Sequence, residues 1–554
     1  MRAITPALIG VASLALLASG CASDGGTNNN GGETGGATEI SIRGCTPENK
    51  LIASNTNEVC GGNVLQAVTS KLVYYNPDNS APELDIAESI ESPDAQNFTV
   101  KLKQGYKFHD GTEVKAKNFV DAWNWAAYGT NTQLASSFFE PIEGYDKLQC
   151  GVDKESGEAD CTKNKPEAET MSGLKVVDDY TFTIKTTTPT SNLEVRLGYT
   201  AFAPQPDSFF ADTSQGKTEF GTLPVGAGPY KIVSNTATEM VLEKFADYSG
   251  AHAGSVDKVT FRIYNDMNTA YNDVVANNLD LTDQVPADQL VNDQWKNDLV
   301  NEDGTPRYGT KETGVIQVMT FSPIDDQLKS IDMRDALSMA LDREQITKQI
   351  FNGARTPATG WVSPVVDGYK AGACTACVFD PTKAKELYEK AGGYKGTLTI
   401  AVNGDGGHKE WAEAVCNQWK NNLGVTCAVE ATPNFQTLRK GINNRELKGL
   451  YRGGWQMDYP SIENFLTPIY STGASSNDGD FSDKKFDQLL KDAAAETDLN
   501  KANELYQEAE RILGEKMPSI PQWYQSSQYG YSSKIAEVKM TPFSTFDLSS
   551  IKLK

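Results

Sequence analysis

Arg452-Gly453-Gly454-Trp455-Gln456-Met457-Asp458-Tyr459 collects in one short run the groups that could hold a small charged molecule. Asp458 can pair with an ammonium group, which is costly to bury without a fixed carboxylate beside it. Arg452 can receive a carboxylate through its forked guanidinium. Gly453 and Gly454 carry no side chain, so a foreign backbone can approach closely enough for strand-like pairing. Trp455 offers an aromatic wall that excludes water. The competing assignments are local ones: Asp458 capping a loop or helix near Tyr459-Pro460, and Arg452 in a structural or surface pair. Enzymatic motifs are missing: the chain has no G-x-S-x-G elbow, no H-E-x-x-H and no G-x-x-x-x-G-K-[ST] loop. Cys374-Thr375-Ala376-Cys377 could suggest redox or zinc chemistry. A zinc site needs two more ligands, and the sequence has only His109, His252 and His408 to add. A redox centre would open a helix, whereas Ala371-Gly372-Ala373 reads as loop. No enzyme activity, metal or cofactor is therefore expected.

The elements that must position this run are mixed α/β. Alternation predicts strands over Thr38–Arg43, Phe98–Leu102, Thr181–Lys185, Val259–Tyr264, Thr397–Val402 and Val425–Glu430. Helical spacing predicts helices over Ala116–Tyr128, Thr269–Asn277, Met333–Phe351, Lys383–Ala391, Trp411–Asn422, Phe486–Ala495 and Lys501–Leu513. His109-Asp110-Gly111-Thr112 reads as a turn with an exposed histidine, and Gly144 to Glu169 as an insertion loop.

The formal charge of -22 over 554 residues repels nucleic acid and anionic lipid headgroups. With 22 Tyr, 21 Phe and 8 Trp there is material for several cores and an aromatic-lined site, and a chain of this length is expected to divide into two or three domains. Arg2, the apolar run Ala7 to Leu17 and the small residues Ala18, Ser19 and Gly20 make a secretory leader ahead of Cys21. The arrangement resembles a bacterial lipobox, which implies that Cys21 receives diacylglycerol and becomes the first mature residue. Residues 21–38 then form a flexible tether rich in Gly, Asn and Thr. The expected location is the extracytoplasmic face of a membrane, with the lipid as the only membrane contact. Eight further cysteines in an oxidising compartment suggest disulfides. Proximity in sequence favours Cys45–Cys60, Cys150–Cys161, Cys374–Cys377 and Cys416–Cys427.

A set of ordered motifs carries a wider resemblance. Ala81-Pro82-Glu83-Leu84 precedes Phe98-Thr99-Val100-Lys101-Leu102-Lys103-Gln104-Gly105-Tyr106-Lys107-Phe108-His109-Asp110-Gly111, and Val225-Gly226-Ala227-Gly228-Pro229-Tyr230 follows. Next come Asn277-Asn278-Leu279-Asp280, then Met333 to Glu344, then Asp380 to Gly392. In this order they resemble the family 5 solute-binding proteins, the oligopeptide, dipeptide, nickel and glutathione binders of ABC importers. The run Arg452 to Tyr459 is similar to the R-A-G-W-x-x-D-Y segment of the oligopeptide binders.

The resemblance implies an α/β fold: a two-lobed periplasmic-binding-protein-like clamshell with an additional subdomain in the N-terminal half. Residues 39–72, 200–310 and 522–554 would form lobe I, 73–199 the subdomain and 311–521 lobe II, after a leader over 1–20. It implies a ligand between the lobes, with Asp458 on the α-ammonium of a peptide and Gly454, Trp455, Gln456, Arg452 and Tyr459 around it. His408, Asn49, Trp523 and Tyr524 stand where cleft residues of the family stand. The charges of Arg334 to Glu344 are expected to be solvated or capping, and Gly111, Gly226 and Gly228 to serve turn geometry. The partners implied are a peptide and ABC permease subunits, with the protein itself a monomer. An oligosaccharide ligand is the alternative within the family, and a surface receptor or adhesin without transport the alternative outside it.

Overall fold

In Glu39–Gly44 the alternation of EISIRG sinks Ile40 and Ile42 into a core and makes this strand an inner member of a large sheet. The computed structural model describes residues 38–47, 49–56, 59–151, 160–264, 266–404, 407–433, 435–474 and 476–554. Cys21, the leader and the tether up to residue 37 lie outside the described residues.

The sheet has eleven strands. Thr426–Thr432, Thr397–Asn403 and Leu450–Gln456 lead into Tyr308–Phe321 and Ser519–Tyr531. Beyond them lie Leu281–Thr282, Glu39–Gly44, Lys258–Ile263, Glu239–Lys244 and Tyr230–Asn235, and Arg355–Pro357 pairs alongside Ser519–Tyr531. The fold is two-lobed α/β, and two long antiparallel strands pair at the middle of the sheet. Tyr308–Phe321 and Ser519–Tyr531 pair at Tyr308↔Gly530 at one end and Thr320↔Ser519 at the other, with the register shifting between Glu312 and Ile316. A second register shift falls between Gln317 and Val318, so the ladder is interrupted twice.

The described residues form three main cores. One spans Ile316 to Tyr524 and buries Trp361, Trp411 and Trp419. A second joins Ile40, Ile42 and Leu65 to Tyr230, Leu242 and the late residues Ile535 and Ile551. The third lies between helix Ala116–Ala127 and a separate four-stranded antiparallel sheet of Ala87–Glu91, Asn97–Leu102, Thr181–Lys185 and Leu174–Asp178. Helix positions Phe119 and Trp123 are fully buried there, and Trp123 Nε1 donates to the Phe202 carbonyl at 3.1 Å. Tyr459, from the far end of the chain, packs into this third core. No helix among the described residues is long and apolar enough to cross a membrane.

Disulfides join Cys45 to Cys60, Cys150 to Cys161, Cys374 to Cys377 and Cys416 to Cys427. The last ties helix Lys409–Leu423 to strand Thr426–Thr432 beside it.

The structure corrects several sequence expectations. The helix expected over Met333–Phe351 is two helices, Ile331–Met339 and Arg343–Phe351. Asp342 stands between them in extended conformation and caps the second, accepting from Gln345 N at 2.8 Å. The residue after this break turns inward: Arg343 is 3% exposed, not solvated. Its guanidinium donates to the carbonyls of Pro521, Ser338 and Cys377, so the charge stitches three segments together. His109 is half-buried rather than exposed. Gly226 N donates to its Nδ1 at 3.2 Å, so the proton sits on Nε2, 3.0 Å from the Gly228 carbonyl. Burial lowers its pKa to about 4, against the pull of that carbonyl, and the ring stays neutral.

The glycines of the same turn are required for close approach more than for turn geometry. A Cβ on Gly226 would lie 1.9 Å from the Val68 carbonyl oxygen, and one on Gly228 2.5 Å from the Val68 carbonyl carbon. Gly226→Ala is therefore expected to destabilise the protein by about 1–3 kcal/mol, the ordinary cost of overpacking a rigid contact. A urea titration followed by tryptophan fluorescence measures it; an unchanged midpoint would mean that the turn can move away from the helix.

Candidate functional site

Strand Leu450–Gln456 builds the site. One of its edges is paired along the whole length, from Val315↔Gln456 to Phe321↔Leu450. The other edge meets Thr397–Asn403 only at Ile400↔Leu450 and Ala401↔Tyr451. Among the described residues, no strand pairs with the other edge from Gly453 to Gln456, and Gly454 on it is exposed. Both glycines also have a structural reason. A Cβ on Gly454 would stand 2.8 Å from the Ile316 carbonyl oxygen, and one on Gly453 3.0 Å from Thr320 Oγ1.

Asp458 lies just past the strand and is half-buried. It is not a cap: Ser461 caps the following 3-10 turn, Ile462–Phe465. Its position is fixed instead by Asn464, which the sequence reading missed. Asn464 Oδ1 accepts from Asp458 N at 2.9 Å and from Trp455 Nε1 at 3.0 Å, while Asn464 Nδ2 donates to Asp458 Oδ2 at 3.0 Å. One buried amide thus sets both the carboxylate and the indole. The only signal in the sequence was a pair of polar residues, Glu463 and Asn464, between the apolar Ile462 and Phe465. The Tyr199 hydroxyl, from a distant segment, lies near enough to the Asp458 carboxylate to stabilise its charge. Burial raises the Asp458 pKa to about 6; Asn464 and Tyr199 pull it down and the nearby Glu463 pushes it up.

At the other end of the open edge, Arg452 and His408 come together. Arg452 Nε lies 3.0 Å from His408 Nε2, and the guanidinium stands 5.2 Å from the centre of the Phe435 ring. Trp411 Nε1 lies 3.1 Å from His408 Nδ1. A neutral imidazole accepts at one nitrogen, so it satisfies one of these two donors at a time. Gln456 reaches across to the C-terminal segment, donating to the Phe543 carbonyl at 3.2 Å. Phe543 in turn stacks on Tyr75, with ring centroids 5.1 Å apart.

The remaining sequence candidates are placed elsewhere. Tyr459 is buried, its hydroxyl donating to the Glu463 carboxylate and its ring lying 5.4 Å from the Arg196 guanidinium. Trp523 and Tyr524 sit in the core of the strand 519–531 layer. Trp523 packs on Trp411 and Phe351, so it supports His408 from behind. The Tyr524 hydroxyl accepts from Thr359 N at 3.2 Å. Asn49 is half-buried in a loop whose next residue, Lys50, donates to the Gln215 and Gly216 carbonyls. It makes no hydrogen bond to Asp458, Arg452 or His408 among the described residues.

Residues 81–477 match the family profile described as bacterial extracellular solute-binding proteins, family 5 Middle. The chain belongs to this family. Among its relatives, the oligopeptide-binding protein OppA of Bacillus subtilis is 25% identical over 530 residues, covering 93% of each chain. The periplasmic oligopeptide-binding protein OppA of Salmonella typhimurium is 26% identical, covering 80% of this chain and 79% of its own. The murein tripeptide binding protein MppA of Escherichia coli has the same fold. It superposes with a TM-score of 0.75 at 21% identity, over 94% of this chain and 99% of its own. In this family 5 protein the site thus combines an open strand edge, a carboxylate at one end and a guanidinium with an imidazole at the other.

Proposed function

We propose that this family 5 protein captures short peptides between its lobes and hands them to the membrane subunits of an ABC importer, with no chemistry on the ligand. The open edge of Gly453–Gln456, flanked by Asp458 and by Arg452 with His408, carries this reading. A peptide laid along that edge pairs through its main chain whatever its sequence. Its α-ammonium meets Asp458 and its α-carboxylate lies toward Arg452 and His408. The six steps from Arg452 to Asp458 span about 20 Å of extended chain, room for about five or six residues. The peptide-binding names of its relatives support the same ligand class.

We take residues 39–72, 200–310 and 522–554 as one lobe, 311–521 as the other, and 73–199 as the additional subdomain. Closure about the two long strands buries the peptide, and the permease recognises the closed form. Lipid on Cys21 holds a monomeric protein at the extracytoplasmic face.

Mass spectrometry of material released by acid tests this reading, using protein purified with Cys21 replaced. A ladder of short peptides with free amino termini is expected. Glycans, a metal or one metabolite would leave the fold intact and overturn the peptide assignment.

A further inference from the structure

A cavity of about 90 Å³ lies behind Phe543, the residue whose carbonyl Gln456 of the open edge reaches. It is bounded by helix Val59–Val68, by residues 69–75 and by residues 541–549. Two opposite charges line it and are almost wholly removed from solvent: Lys71 is 4% exposed and Asp85 5%. No ion pair closer than 4.0 Å joins them among the described residues. Each nonetheless feels the other: burial lowers the Lys71 pKa to about 8 against the pull of Asp85, and burial raises that of Asp85 against the pull of Lys71.

The other lining charges are already engaged. Arg43 grips Asp283 through two bonds of 2.6 and 2.8 Å. Asp547 accepts from Ser549 N at 3.0 Å and Ser549 Oγ at 2.7 Å. Asp85 Oδ1 accepts from the Tyr106 hydroxyl at 3.1 Å, and the Ser70 hydroxyl also stabilises this carboxylate. For Lys71 no hydrogen-bond acceptor is found among the described residues. A buried ammonium and a buried carboxylate that do not touch need a group between them that accepts from one and donates to the other. Aromatic faces close the remaining walls, including Tyr74 stacked on His252 at 3.6 Å. The stacked rings of Tyr75 and Phe543 both line this cavity, and Tyr75 also feels the charge of Asp458, so the cavity and the Asp458 site are neighbours with different lining charges.

We propose that the cavity between Lys71 and Asp85 binds a small zwitterion, an amino acid of glycine or alanine size, with its carboxylate on Lys71 and its ammonium on Asp85. The size follows from the volume. A space of about 90 Å³ is small, and it suits a ligand of a few heavy atoms such as glycine. A longer side chain would meet the aromatic walls. A free amino acid here is a second ligand, independent of what lies along the open strand edge.

Isothermal titration of the full chain with glycine, acetate and methylammonium tests the assignment. Glycine should bind, and the two single-charge probes should bind at least about tenfold more weakly, since each satisfies one wall only. Glycine binding should survive Asp458→Ala and be lost in Lys71→Met. If Lys71→Met does not fold, the variant Lys71→Met/Asp85→Leu removes both charges together and should fold while losing glycine. Absence of glycine binding, equal binding of acetate, or loss in Asp458→Ala with retention in either Lys71 variant would each overturn the proposal.

Discussion

Asp458→Ala is expected to weaken binding of peptides with a free amino terminus by about a hundred- to a thousand-fold. The carboxylate is held by Asn464, with Tyr199 close by, so it cannot swing away to solvent when a ligand arrives. An ammonium placed against it gains a fixed partner; without it the same ammonium is enclosed unpaired. Titration with one peptide and its N-acetylated form separates this from a loss of fold. The wild type should discriminate strongly between them and the variant should not. Equal affinity of both peptides for the wild type would remove Asp458 from the site.

The same carboxylate gives a pH dependence with a definite sign. With a pKa of about 6 in the ligand-free protein, Asp458 must lose its proton to receive an ammonium, so affinity falls as pH drops below that value. Stability of the ligand-free protein runs the other way. The folded pKa is raised above 3.8, so the fold binds more protons than the unfolded chain over that interval. This group therefore favours the fold increasingly as pH falls from about 6 towards 3.8. Asp458→Asn should accordingly raise the thermal midpoint at neutral pH while abolishing discrimination for the free amino terminus. A lowered midpoint would show that the ionised form is the stable one.

Arg196→Met is expected to cost about 3–5 kcal/mol. Arg196 comes from the short helix Leu193–Arg196, and its guanidinium lies 3.0 Å from Glu463 in the 3-10 turn Ile462–Phe465. The pair joins segments more than two hundred residues apart. Asn192 Nδ2 donates to the other Glu463 oxygen at 3.0 Å, and the Tyr459 hydroxyl donates to the same carboxylate. Removing the cation leaves Glu463 buried with hydrogen bonds but no countercharge. The double change Arg196→Met/Glu463→Leu should restore much of the loss, because an apolar pair carries no desolvation penalty. Urea midpoints of the two singles and the double measure the coupling. A double variant no more stable than the singles would show that packing, not charge, holds the contact. Because Glu463 lies one residue from Asn464, Arg196→Met should also loosen Asp458 and lower peptide affinity.

Much of the architecture was legible because it is written in local pattern. The strand over Thr181–Lys185 and the helices around Ala116 and Trp411 follow from periodicity, which depends only on neighbours in the chain. Where long-range contacts compete with local pattern, the sequence misled. The apolar spacing of Met333 to Phe351 continues across Asp342, yet the chain breaks there. A cap and an inward-turned Arg343 bonded to Pro521 and Cys377 outweigh one more helical turn. His109 read as a solvated turn residue because nothing near it in sequence announces Gly226 and Gly228 as its partners.

By itself the sequence determined the family, through motifs whose residue types serve packing and turns in a fixed order, and it singled out Arg452 to Tyr459 through chemistry. Only the tertiary structure decided which of those residues stand together and in what environment. Among the described residues strand Leu450–Gln456 pairs with Thr397–Asn403 only at its start, so the open edge from Gly453 to Gln456 arises from how two distant strands meet. Asp458 acquires its pKa of about 6 from burial beside Tyr199, a residue more than two hundred and fifty positions away. Pairing, burial and charge coupling are properties of distance in space, and a linear sequence records distance only along the chain.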